Sequence, residues 1–187
     1  MGSPKVEIDL ATVTARADAV HGVLRDLCRC YDLTRFTFTD RVRIAPTEVP
    51  HSHPILTLNT YTTEPHALLS VYLHEQMHWY LDLCATDAVA RTLPILRARY
   101  PGAPDAASER ARDEMSVYLH LVVNWLEIEA ASQVIGAEAA RAVHANPLVY
   151  PWGYATVISD WSALEALYQE TGVLPLQDAR EAMRAAS

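Results

Sequence analysis

The stretch "YLHEQMHWYL", residues 72–81, places His74 and His78 four apart with Glu75 directly after the first. On a helix, positions i and i+4 lie about 40° apart, so both imidazoles can meet at one ion. Neutral imidazole nitrogens suit zinc, at about 2.0–2.1 Å. Glu75 points about 100° away from His74. It is badly placed to ligate the same ion, but it can reach a water beside it and take that water's proton. A chain of this length and composition should show roughly 0.02 such patterns by chance.

The residues around the motif strengthen that reading. Leu68, Leu69, Val71, Leu73, Met77, Trp79 and Leu81 make this helix apolar on most sides. Two histidines and a carboxylate buried there need partners, or they cost several kcal/mol. A plain core reading, with the histidines hydrogen-bonded internally, is the alternative.

A catalytic zinc site needs a third protein ligand and an open position. Residues 81 and 84, where one extension of the motif would carry glycine and histidine, are Leu81 and Cys84. The candidates therefore lie on a second apolar stretch, "MSVYLHLVVNWLEIEAA". At 100° per residue, Asp113, Ser116, His120, Asn124 and Glu127 share one narrow polar stripe, with Glu109 joining it. Glu127, set among Trp125, Leu126 and Ile128, is the expected third ligand, because an unpaired carboxylate would be costly there. His120 is its rival. About 10 Å separates the two along the axis, so His120 is otherwise assigned to oxyanion stabilisation or proton donation. Among Tyr150, Trp152 and Tyr154, Tyr154 is named as a phenolic donor, against a packed turn as the alternative. Glu109 reads as solvated, His21 and His144 as surface or packing residues. His51 and His53 read as loop histidines, and Asp82 as either a partner of His78 or exposed. Nothing in the sequence decides His66.

The 187 residues suit one domain, 1–187, that is 50% hydrophobic and 20% charged. With a net charge of −8 and scattered arginines, nucleic acid is not an expected partner. No membrane span and no signal peptide are read. Three cysteines, an odd number, favour reduced thiols in a cytoplasmic protein over a disulfide framework. Helical spacing runs over 9–30, and strand-like alternation over 36–46 and 54–63, from which a small antiparallel sheet is expected. Pro65 opens the motif helix, to about residue 84. Further helices are expected to about 100, from 105 to 135, over 137–145, and ending at 172. The expected fold is α+β and mostly helical: a small sheet, then the motif helix, then a long glutamate-bearing helix.

By His74-Glu75-x-x-His78 and a glutamate on a later helix, the chain resembles the zincins, and among them the gluzincins, the thermolysin-like metallopeptidases. The resemblance covers residues 36–130 loosely. It implies zinc held by His74, His78 and Glu127, Glu75 as general base, and an edge strand that pairs with an extended peptide. Ala131 stands where many gluzincins carry an aspartate, and Asn124 precedes Glu127 by three residues rather than one. The expected activity is hydrolysis of a peptide or small amide. The alternatives are a metal enzyme, zinc or iron, acting on a small metabolite, or a binding domain without catalysis. Oligomeric state is not read.

Overall fold

The computed structural model describes residues 5–179 and 181–182. Its elements are β1 (Glu7–Leu10), α1 (Ala15–Cys30), β2 (Arg41–Ile44), β3 (Leu56–Leu58), α2 (Pro65–Cys84), α3 (Thr86–Arg99), α4 (Ala106–Glu109), α5 (Glu114–Ile135), α6 (Ala137–Val143), α7 (Pro151–Ser159) and α8 (Trp161–Thr171). The expected mostly helical α+β class is what the chain adopts.

The sheet differs from expectation. Its three strands run in the order β1-β2-β3, and both pairings are parallel. Alternation identifies a strand but carries no direction. Here α1 forms the crossover between β1 and β2, which a parallel pair requires. The segment 45–55, broken by Pro46, Pro50 and Pro54, carries the chain back for β3. Asp9 and Leu10, the first two residues of the helix expected over 9–30, end β1 instead, and Thr14 starts α1 by accepting from the backbone N–H of Ala17 at 3.1 Å.

The motif helix α2 begins as its sequence dictates. Pro65 sits at the first helical position, and the Glu64 carboxylate accepts from the N–H groups of His66 and Ala67. Its Leu68, Leu69, Tyr72, Leu73, Met77 and Tyr80 are all buried. Helix α5 is equally apolar around its circumference, and such a helix is stable only when enclosed. The two pack against each other. Helix α1 and strand β3 also lie on α2, while α6 and α7 lie on α5.

The helix expected from 105 is broken. Arg110 takes a left-handed conformation (φ 55°), ending α4 after one turn, and Asp113 caps α5 afresh through the N–H of Ser116 at 2.7 Å. That break lets Glu109 turn inward. Far from being solvated, it is buried, and its carboxylate accepts from the N–H groups of Trp152 and Gly153 at 3.0 Å each. It thereby caps α7. Gly153 permits the close packing: a Cβ there would stand 3.1 Å from Asn124 Nδ2 and 3.5 Å from Glu109 Oε2.

Candidate metal centre

Helix α2 supplies His74 and His78, and α5 supplies His120. A ring nitrogen from each lies within 4.8 Å of the other two. Ring centroids are 5.2 Å apart for His74–His78, 5.4 Å for His74–His120 and 5.2 Å for His78–His120. His120 is buried, whereas His74 and His78 keep partial access to solvent.

The tautomers follow from the partners. His120 Nδ1 lies 2.6 Å from the Ser116 carbonyl oxygen, an acceptor only, so Nδ1 carries the proton. His74 Nδ1 donates to Glu127 Oε2 at 2.9 Å. In both rings Nε2 is left as the nitrogen with a free lone pair. This arrangement, with the far N–H anchored on a carbonyl or carboxylate, is how metal-binding histidines are usually held. Burial, reinforced by the charge of His74, pushes His78 well below the ordinary imidazole range and His120 down to about 3. Both are therefore neutral at physiological pH, as ligation requires. Burial also depresses His74, but the hydrogen bond and charge of Glu127 outweigh it and leave a raised value.

Glu127 lies behind this cluster. Its Oε1 accepts from Ser70 Oγ and lies 3.1 Å from His144 Nε2, while Oε2 accepts from His74 Nδ1 and from the Tyr154 hydroxyl at 2.6 Å. A carboxylate offers about four lone-pair positions. All four are occupied, and Glu127 is not among the group of ligand atoms that lie within 4.8 Å of one another. Burial alone would raise this carboxyl, yet the charges and hydrogen bonds of His144 and His74 hold it well below the usual carboxylate range.

Glu75 is a different kind of carboxylate. It is buried, and burial pushes it up to about 7. The charges of His74 and His51 pull it down and that of Glu127 pushes it up, with no hydrogen bond contributing. A group poised near neutrality is suited to take a proton and give it back.

The two tyrosines of "VYPWGY" separate in role. Tyr154 gives its hydroxyl to Glu127 and stacks on His144, at 4.0 Å between centroids. Tyr150 stacks on His120 at 3.7 Å and lies 6.2 Å from His74. Burial, then the charge of Glu75, pushes its phenol up to about 12, so it stays protonated and able to donate. The segment read as a packed turn is thus the start of α7, and Glu109 fixes its place. The Tyr150 N–H also donates to the Glu109 carbonyl oxygen at 3.1 Å.

The structure therefore gathers His74, His78 and His120 at one point, with Glu75 buried on the same helix as the first two, Glu127 bonded to His74 and Tyr154 bonded to Glu127. Ser70, His144 and Tyr150 join them. Ser70 had a local signal, standing one turn before His74. His144 had none: it reads as a surface or packing residue, and it is buried against Glu127, Ser70 and Tyr154. His53 pairs with Asp82 at 3.2 Å and stacks on Trp79 at 4.0 Å, so Asp82 serves His53 and not His78. Among the described residues no helix is long and apolar enough to cross a membrane. No protein-family model, curated protein or solved structure matches this chain.

Proposed function

We propose that His74, His78 and His120 hold a catalytic zinc ion, and that the protein is a metallohydrolase cleaving an amide bond with Glu75 as general base. The observation that carries this reading is the convergence of three imidazoles, two with their Nδ1 protons anchored, beside a carboxyl raised to about 7. The donor set fits zinc, which takes three histidines and leaves one position open in catalytic sites. In this assignment Glu127, rather than serving as third ligand, fixes the tautomer of His74. The likeness to gluzincins then narrows to the H-E-x-x-H helix, because the donor on the second helix is an imidazole.

When bound, zinc acidifies a water and polarises a carbonyl. Glu75 accepts the proton given up by the attacking water and delivers it to the leaving nitrogen, a use that matches its position beside His74 and its poise near neutrality. Tyr150, protonated and stacked on His120, is placed to donate a hydrogen bond to the oxygen on which negative charge develops. His120 then serves as ligand and not as the proton donor.

Glu75→Gln tests the reading. The variant should keep stoichiometric zinc and lose turnover of a responsive amide by roughly a hundredfold or more, the range of general-base catalysis. Zinc binding with full turnover would remove Glu75 from the mechanism.

A further inference from the structure

The segment 49–54 is folded back onto the sheet beside the motif helix. His51 and Thr57 exchange both backbone hydrogen bonds in an antiparallel bridge, Thr57 N–H to the His51 carbonyl at 2.8 Å and His51 N–H to the Thr57 carbonyl at 3.1 Å. Thr57 is the middle residue of β3, the edge strand next to the motif helix. In the parallel pairing with β2, Leu58 turns its carbonyl toward Ala45 N–H at 2.9 Å. Successive residues alternate, so Thr57 turns its N–H and C=O outward. The outward pair at the centre of this three-residue edge is thus already bonded within the chain.

The same segment is pinned along α2. The Ser52 carbonyl accepts from Trp79 Nε1 at 2.8 Å, and His53 stacks on Trp79 and pairs with Asp82. Residues 51–53 therefore run along the strip between the β3 edge and the Trp79–Asp82 stretch of the motif helix, immediately past His78. An extended peptide approaching the three histidines would need that strip, because strand addition draws its affinity from an unpaired edge.

Given the zinc-hydrolase reading, on which this inference rests, we infer that the site takes a compact amide or ester recognised by side chains, and that residues 49–54 exclude an extended polypeptide. Such a substrate reaches His74 and His78 without displacing His51 from Thr57.

Two hydroxamates with the same metal-binding end and the same phenyl group test this: Ac-Phe-NHOH and Ac-Ala-Ala-Phe-NHOH. They are titrated calorimetrically into zinc-loaded protein, with amide exchange of His51 and Thr57 followed in each complex. The expected result is equal affinity within about threefold, with both amides protected throughout. Two backbone hydrogen bonds to an open edge would instead tighten the longer probe by roughly tenfold or more. That gain, with lost protection at His51, would overturn the inference and leave the zinc site standing. Protein that holds zinc but binds neither probe would also overturn it. Protein that takes up no zinc would sink the metal-site reading itself.

Discussion

His74 Nδ1 and Glu127 Oε2 stand 2.9 Å apart, across the contact between α2 and α5. This bond directs the other nitrogen of His74 toward His78 and His120. It also makes Glu127 a hub, since the same carboxylate takes Ser70, His144 and Tyr154. Removing it should therefore do two separable things. Glu127→Gln should weaken zinc by roughly 10–100-fold, as loss of an orienting partner does. Glu127→Leu should in addition destabilise the fold by about 3–5 kcal/mol, because buried donors are left unpaired. Competition with a chromogenic chelator measures the first and urea denaturation the second. A Glu127→Leu variant as stable as wild type would contradict the hub.

Tyr154→Phe isolates one spoke of that hub. A hydrogen bond to a charged group is worth about 1.5–3 kcal/mol. The variant should lose stability in that range while retaining zinc, since the hydroxyl contacts Glu127 and none of His74, His78 and His120. Zinc binding lost along with stability would contradict a role for Tyr154 confined to Glu127.

Glu109 distinguishes a buried cap from a solvated charge. Replacing it with alanine frees the N–H groups of Trp152 and Gly153, and loss of such a cap costs about 1–2 kcal/mol. A solvated surface glutamate would change stability by under about 0.5 kcal/mol. Denaturant unfolding separates the two outcomes.

What the sequence disclosed, and what it withheld, follows from the range of each interaction. The pair His74–His78 was legible because four residues on one helix fix their own geometry. The stripe through His120, Asn124 and Glu127 was legible too, since a helical wheel gives direction. It gives no height, however: whether α2 meets α5 at His120 or two turns later depends on packing between helices. Glu109 was misread because its charged neighbours described the local composition and not the left-handed break at Arg110. His144 reaches the site just past α6 with no short-range pattern to announce it, while Tyr150 was weighed with Trp152 and Tyr154 as a donor, and sequence position does not tell the two tyrosines apart. The direction of β2 and β3 was hidden for a similar reason, because alternation is identical in parallel and antiparallel pairs.

Away from the site, Cys28 gives a prediction for alkaline pH. Burial pushes its thiol from 9.0 up to about 11. The folded state therefore holds a proton that the unfolded state releases. This contribution to stability is complete below about pH 9 and is lost as pH rises through about 11. Stability should fall over that window, and Cys28→Ala should flatten the fall. In the native protein at pH 8, maleimide should label exposed Cys30 first and leave Cys28 unmodified. Peptide mass mapping reads this directly, and prompt labelling of Cys28 would contradict its burial.

Zinc should also stabilise the fold by mass action. At a hundredfold excess over Kd the gain is about 2.7 kcal/mol, or a rise in Tm of roughly 5–11 °C for a domain of this size. Calorimetry with and without zinc should show it for wild type and not for His120→Ala.

The most direct test of the central claim is metal stoichiometry after exhaustive dialysis, measured side by side for wild type, His120→Ala and Glu127→Gln. The account predicts one zinc per wild-type chain, zinc retained by Glu127→Gln, and zinc lost from His120→Ala. Zinc retained by His120→Ala but lost from Glu127→Gln, or absent from all three, would contradict it.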